Sequence, residues 1–179
     1  LEFRRVLFRS DFNQNAMKKI LSGKRLQYQV LTTCGMYVYM WNGHPLAKKA
    51  SINFQDLEAF PCLSFEQGPN SSFYYAEEAL STMDYPRVIK ANDRATMLNL
   101  MVGLLGYTLC SGIICEELNG EDFVAVPFRD DEENQNSQME IGYITRKHSL
   151  RSQMGEQYIE ELENYLAELQ GEELFASAE

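Results

Sequence analysis

The side chains with the strongest catalytic or metal-binding chemistry in this 179-residue sequence are two histidines and four cysteines. A nucleophilic thiol needs a base beside it. No flanking signature pairs a cysteine with His44 or His148, so a Cys–His pair is only an open alternative. The cysteines also lack C-x-x-C spacing, which argues against a zinc site or a disulfide framework. We therefore expect reduced thiols in apolar strands and no catalytic or metal site. The cysteines are Cys34, Cys62, Cys110 and Cys115.

Two other stretches resemble ligand-binding motifs but lack their defining parts. The acidic run RDDEENQNSQ, residues 129–138, has neither the alternating ligands nor the glycine of a calcium loop, which indicates a solvated connection. The run MVGLLG, residues 101–106, has glycines within and after a predicted helix, whereas a phosphate-binding loop places them between a strand and a helix. We expect neither a metal nor a cofactor.

Polar groups at strand ends offer a site for binding without chemistry. Three turns, at residues 67–72, 92–96 and 110–112, carry small or hydrogen-bonding side chains. In open α/β sheets, ligands bind outside the carboxyl ends of the strands, where helix N-termini favour anions. The charge of Asp93 would offset this preference unless Arg94 compensates for it. The alternative for each turn is local helix capping or turn formation.

Strand-like and helical segments alternate between residues 62 and 128, which predicts an α/β lobe with a largely parallel sheet. Pro127 predicts that the last strand of this lobe lies near an edge or leaves the sheet. The flanking segments look like parts of a second lobe, in which two β-rich runs around residues 33–35 form a hairpin. The predicted strands are residues 26–32, 36–41, 62–65, 87–91, 107–114, 123–128 and 139–146.

Capping residues predict where the helices begin and end. A short helical turn follows Ser51 or Asn53, and the helix with apolar residues at 97, 100, 101 and 104 follows Asn92 or Asp93. Gly106 fits the C′ position of that helix. Ser152 can cap the final helix, which Gly171 would end, leaving residues 171–179 as a frayed tail.

The charge balance restricts the partners of this chain. It carries 16 Lys and Arg against 26 Asp and Glu, a net charge of −10, which repels nucleic acid. No apolar run approaches the roughly 18 residues that a membrane span needs. Residues 1–10, LEFRRVLFRS, look like the translation of a sequencing adaptor, and we expect them to carry no fold information. Without their three Arg and one Glu, the counts become 13 and 25 and the net charge −12.

Three segments, in order and spacing, resemble the effector-binding domain of LysR-type transcriptional regulators. The first is HPLA, residues 44–47, followed by INFQDLEAFP and an apolar strand. The second, VIKANDRATMLNLMVGLLGYTLCSGI, resembles that family's strand, helix, turn and strand. The third, EIGYITRKHSLRSQMGEQYIEELENYL, resembles its return strand and closing helix. The likeness covers roughly residues 11–170.

The resemblance implies a two-lobed fold like that of periplasmic binding proteins, with a small effector in the cleft between the lobes. Residues 11–59 and 137–170 would form a partial lobe one, and residues 61–128 lobe two, with the crossover loop at 129–136. The family's DNA-binding domain and the first units of lobe one would lie outside this chain. An incomplete lobe leaves strand edges open, so we expect the chain alone to associate.

The resemblance also implies which residues line the effector site. The strand end before HPLA contributes Trp41 and Asn42. The two lobe-two turns contribute the remaining six side chains, and Thr32 and Thr33 rank lower. The turn at 111–112 is Ser-Gly where many relatives have proline. These six residues are Asn92, Asp93, Arg94, Thr96, Cys110 and Ser111.

The implied function is that of a cytoplasmic sensor without catalysis, which binds a small metabolite and forms homo-oligomers, with DNA bound only through the absent N-terminal domain. The first alternative is a fragment of a transporter's solute-binding protein, which an upstream signal peptide would reveal. The second is an enzyme on the same two-lobed fold, which would lose turnover on changing Cys110 or His148. The effector's identity and the target genes do not follow from the sequence.

Overall fold

Backbone pairing divides the eight described strands between two sheets. The computed structural model describes residues 2–6, 21–66, 86–113, 120–129, 138–148 and 150–176. Cys115, the turn at 67–72 and residues 130–136 of the predicted crossover loop lie outside these ranges. The elements are β1 Glu2–Val6, β2 Leu26–Gly35, β3 Tyr37–Trp41, α1 Phe54–Leu57, β4 Cys62–Phe65, β5 Val88–Ala91, α2 Arg94–Leu104, β6 Tyr107–Cys110, β7 Phe123–Pro127, β8 Gln138–Arg146 and α3 Gln153–Ala176.

The first sheet has three antiparallel strands in the order β1-β8-β2. Gly35 pairs with Gln138, so β2 ends beside the start of β8. The α3 helix contacts β2 and buries Ile159 and Leu166. Residues 2–6, which we expected to contribute nothing, form an edge strand along β8. Backbone hydrogen bonds hold such a pairing, because an open strand edge accepts extended segments of many sequences.

The second sheet has five strands in the order β5-β4-β6-β3-β7. It is mixed rather than largely parallel: β4 runs parallel to β5 and β6, while β3 runs antiparallel to β6 and β7. Pro127 lies on the edge strand β7, as predicted. Ile52 covers that edge, since its N–H donates to the carbonyl of Pro127 at 2.9 Å and its carbonyl accepts from Arg129 at 2.9 Å.

The predicted hairpin between β2 and β3 is wrong, because the two strands lie in different sheets and the chain changes sheet at Met36. Residues 37–57 therefore belong with 62–128 rather than with the partial lobe one. The burial pattern gives the reason. Val38 and Met40 are fully buried on one face of β3 and Tyr39 is buried on the other, so β3 needs cover on both faces. In β2, exposed and half-buried residues dominate, as in a strand with one solvated face.

Two apolar clusters cover the two faces of the five-stranded sheet. One contains Val38 and Met40 of β3 together with Met36, which precedes this strand, and Leu57 of α1 packs against them. The other lies under α2 and joins Tyr39 and Leu63 to the helix residues Met97 and Met101. Asn53 caps α1 as predicted, in a capping box with Asp56.

The ends of α2 and α3 differ in part from their predictions. Asp93 caps α2 and the Ser152 hydroxyl accepts from the Gly155 N–H at 3.2 Å, as predicted. Gly106 does not take the left-handed position; Leu105 does, with φ 52°. Gly106 is instead needed for close packing, since a Cβ there would lie 2.7 Å from Cδ1 of Leu63. Gly171 does not end α3, whose backbone remains helical to Ala176.

Candidate functional site

The carboxyl ends of β4, β5 and β6 meet at one edge of the five-stranded sheet, called the carboxyl edge below. Since β4 runs parallel to both neighbours, the strands end together at Phe65, Ala91 and Cys110. The antiparallel β3 begins at this edge, where Tyr37 pairs with Cys110 on one side and with Pro127 on the other. The edge therefore gathers two of the three predicted turns beside the point where the chain passes between the sheets.

The turn after β5 carries four predicted site residues, of which two bond to each other. The Asp93 carboxylate accepts from the Thr96 N–H at 2.8 Å and from the Thr96 hydroxyl at 2.7 Å. These two hydrogen bonds lower the pKa of Asp93 below its ordinary value. Asp93 and Thr96 thus cap α2, which leaves the exposed Asn92 and Arg94 available to a ligand.

Arg94 shares its surroundings with a residue that sequence reasoning missed. Tyr39 of β3 is 7% exposed and faces α2. Burial raises the pKa of the Tyr39 phenol, the charge of Arg94 acts in the opposite direction, and Cys110 raises it further. Tyr39 and Cys110 belong to the same apolar cluster under α2, and the charge of Arg94 acts on the Tyr39 phenol. The sequence feature that could have identified Tyr39 is the alternation of aromatic residues along β3.

The turn after β6 carries the other two predicted residues, Cys110 and Ser111. The Sγ atom of Cys110 accepts from the Gly112 N–H at 3.4 Å, which closes the turn. Ser111 is only 3% exposed, and within the described part of the chain its hydroxyl has no hydrogen-bond partner. A buried hydroxyl is costly unless a partner satisfies it, so Ser111 is suited to bond a ligand.

Trp41 and Asn42 do not join this group, contrary to expectation. They follow the carboxyl end of β3, which is antiparallel to β6, so they lie at the opposite edge. Trp41 lies four positions after Tyr37, or about 13 Å along the strand. Asn42 has a structural role there: its backbone N–H donates to the carbonyl of Asp122 at 2.8 Å, and its side-chain amide donates to that of Glu121 at 3.0 Å. Tyr37, rather than Trp41, is the residue of β3 that lies at the carboxyl edge.

The histidines do not form a nucleophilic pair with Cys110. His44 is buried beyond the far end of β3, where Nδ1 accepts from the Leu46 N–H at 3.0 Å and Nε2 contacts the carbonyl of Leu105 at 3.1 Å. His148 is exposed beyond the end of β8, in the other sheet. Cys34, Cys62 and Cys110 are free thiols. Among described residues, no group of three or more His, Cys, Asp or Glu side chains could hold a metal ion.

The carboxyl edge therefore offers a cation, an amide and a buried hydroxyl at Arg94, Asn92 and Ser111. The described residues of this edge also include a weak charge pair, in which Lys90 lies 3.9 Å from the exposed carboxylate of Glu66. Thr32 is buried and Thr33 exposed in β2, where they pair with Ile141 and Glu140. This set can bind and orient a small polar molecule.

A family model for the LysR substrate binding domain matches residues 17–167. The chain belongs to this family. The match favours the regulator over the transporter protein considered from the sequence. No curated protein matches the chain. Within the described helices, none is both long and apolar enough to cross a membrane.

Solved structures of LysR-family proteins share the fold of this LysR-family chain. The oxidised form of OxyR aligns with a TM-score of 0.52 at 16% identity, covering 84% of this chain and 76% of OxyR. The BenM effector-binding domain with its effector benzoate aligns with a TM-score of 0.53 at 13% identity, covering 88% and 76%. HinK, a LysR family regulator from Pseudomonas aeruginosa, aligns with a TM-score of 0.55 at 13% identity. This chain spans 57% of HinK.

Proposed function

We propose that this chain is the sensing part of a LysR-type transcriptional regulator and binds a small molecule at the carboxyl edge. The observation that carries the proposal is the buried Ser111 hydroxyl, which has no partner among the described residues and follows a strand of the sheet. The exposed Arg94 and Asn92 follow the neighbouring strand β5 at the same edge. Ligands of open α/β sheets bind at this kind of edge.

The side chains at the edge favour a small molecule with an anionic group and a hydrogen-bonding group. Arg94 supplies the positive charge and forms no salt bridge with the described residues. The helix N-terminus adds little to anion binding, because Asp93 already occupies it. A ligand carboxylate beside Arg94 would leave its remaining polar atoms for Asn92 and Ser111. The benzoate bound by BenM carries such an anionic group.

Binding without catalysis fits the chemistry of the edge. The nucleophile nearest to it, Cys110, has its sulfur bonded to the Gly112 N–H, and neither histidine lies beside it. Catalysis by a thiol requires a base within hydrogen-bond reach. In this proposal the protein acts by a ligand-dependent shift between two arrangements, which requires different ligand affinities in the two states.

The remaining parts of the proposal concern the intact regulator. It works in the cytoplasm as a homo-oligomer, and another part of the protein contacts DNA. The net charge of −10 on this chain supports that division, because an acidic surface repels the phosphate backbone.

The test combines a ligand screen with two variants of the edge. The chain is first screened by thermal shift against small carboxylates, benzoate included, and against uncharged analogues. A ligand at 100 times its Kd stabilises by about 2.7 kcal/mol, which raises Tm by roughly 5–10 °C for a chain of this size. Calorimetry then measures the affinity for Arg94→Gln and Ser111→Ala.

The matched control is Lys48→Gln, which removes an exposed cation in the turn after β3, at the opposite edge. We expect Arg94→Gln and Ser111→Ala each to weaken binding at least tenfold, about 1.4 kcal/mol, and Lys48→Gln to leave it unchanged. Equal affinities in all three variants would refute the proposed site.

A further inference from the structure

The ring of Tyr37 packs on the turn that carries Ser111. A methyl group at Gly112 would lie 2.5 Å from Cδ2 and 2.7 Å from Cε2 of Tyr37, so only a hydrogen atom fits between backbone and ring. Gly112 also has φ 76°, a conformation that side chains disfavour. The backbone of the turn therefore lies directly against the ring and cannot move closer to it.

The same ring reaches the passage from β2 to β3. A methyl group at Gly35 would lie 3.7 Å from Cε2 of Tyr37, an ordinary packing distance. Gly35 is the last residue of β2, and Met36 is the single residue between the two sheets. Tyr37 thus lies between the turn after β6 and the point where the chain leaves the three-stranded sheet.

The chain passes between the sheets a second time after β7, and this second passage is hydrogen-bonded to the first beside Tyr37. The Phe128 N–H donates to the carbonyl of Met36 at 2.8 Å, and Tyr37 pairs with Pro127 at the end of β7. Met36 and Phe128 are both buried in one apolar cluster. A movement of Tyr37 therefore acts on both connections between the sheets.

We infer that Tyr37 is a positioning residue that transmits a displacement of the turn at 110–112 to the two passages between the sheets. The inference rests on the proposed function, since it names how a ligand at Ser111 would change the arrangement of the two sheets. An aromatic ring in a packed site cannot be compressed, so a turn that moves toward it must displace it. The displaced ring would shift residues 35–36 and the bonded Phe128.

A double-mutant cycle without any ligand tests the inference. Gly112→Ala pushes a methyl group against the ring, and Tyr37→Ala removes the ring. Hydrogen exchange of the 179-residue chain is measured for peptides that cover residues 30–36 and 107–113, with residues 94–104 of α2 as the internal control. The strain of a left-handed alanine is common to both backgrounds and drops out of the comparison.

We expect Gly112→Ala to raise exchange at residues 30–36 by about tenfold when Tyr37 is present and to have little effect there in the Tyr37→Ala background. Tyr37→Phe keeps the ring, so Gly112→Ala should still raise exchange at residues 30–36 in that background. An increase confined to residues 107–113, or equal at residues 30–36 in both backgrounds, would overturn the inference.

Tyr37→Leu alone provides a second readout should the alanine at 112 prevent folding. Losing the ring should raise exchange both at residues 107–113 and at 30–36, and unchanged exchange at residues 30–36 would overturn the inference. Since no ligand is present, this result is independent of whether small molecules bind the carboxyl edge.

Discussion

The imidazole of His44 holds the carbonyl of Leu105 at 3.1 Å, which joins the turn after β3 to the end of α2, 61 residues further along. Nδ1 accepts a backbone N–H, so the ring is neutral and carries its proton on Nε2, which donates to Leu105. Leu105 adopts the left-handed conformation that a branched side chain disfavours. His44 thus holds a strained residue at the end of the helix whose N-terminus carries Arg94.

Replacing His44 should destabilise the fold in a way that depends on which nitrogen is lost. His44→Ala removes the partner of the half-buried Leu105 carbonyl and of the half-buried Leu46 N–H, and we expect it to cost about 2–4 kcal/mol in urea unfolding. His44→Gln can still reach Leu105 and should retain more stability than His44→Asn, which can reach only Leu46. His148→Asn is the control, because this residue is exposed with φ 61° and asparagine tolerates that conformation. Equal losses for Gln and Asn would contradict the assigned bonds.

The stability should also depend on pH through His44. Burial lowers the pKa of His44 below 6.5, although the Leu105 carbonyl acts in the opposite direction. The unfolded chain therefore binds the proton first as pH falls. The contribution of His44 is fully present above about pH 6.5 and is lost as pH falls through the lower folded-state pKa. Urea midpoints from pH 8 to pH 5 should decline for the wild type and decline less for His44→Gln. A wild-type midpoint that rises toward pH 5 would contradict this sign.

Gly103 in α2 and Gly106 just after its end should respond oppositely to alanine. A Cβ at Gly106 would lie 2.8 Å from Cγ of Leu63 in the core, so we expect Gly106→Ala to destabilise by about 1–3 kcal/mol. Gly103 lies within α2, and nothing is within 4 Å of a Cβ placed there. Gly103→Ala should therefore stabilise by about 0.5–1 kcal/mol through helix propensity. Urea unfolding measures both, and a stabilising Gly106→Ala would show that the packing of Gly106 on Leu63 is looser than described.

Part of this arrangement was predictable from the sequence. The cap Ser152 was identified, and Asn53 and Asp93 were each one of two candidates, because a capping residue acts on the backbone a few residues away. The edge position of β7 followed from Pro127, which cannot donate to a neighbouring strand. The α/β class followed from the alternation of strands and helices between residues 62 and 128.

The misassigned parts depend on contacts between residues distant in sequence. The resemblance placed Trp41 in the site, and the sequence could not correct this because strand pairing, which a single strand does not encode, sets the direction of β3 relative to β6. Tyr37 was missed for the same reason. Leu105 takes the left-handed position, and Gly106 is required for another reason: Leu63, 43 residues earlier in the chain, packs against its backbone.

Strand β2, which pairs only with β8 among the described strands, should promote self-association through its outer edge. It is the outer strand of the three-stranded sheet, and Val30 is 49% exposed on it. Exposed strand edges pair with other chains unless charges protect them. Val30→Lys should therefore lower the fraction of large species in size-exclusion chromatography with light scattering, whereas Leu150→Lys, at a fully exposed residue outside the sheets, should have little effect. A distribution changed equally by both variants would show that association does not use this edge.

Mapping a bound ligand by amide chemical shifts tests the central claim most directly. With the tightest carboxylate from the thermal screen, we predict the largest shifts at Asn92, Arg94, Ser111 and Tyr37, and none at Asn42 across the sheet. Shifts concentrated around Trp41 and Asn42, with the turns after β5 and β6 unaffected, would contradict a binding site at the carboxyl edge.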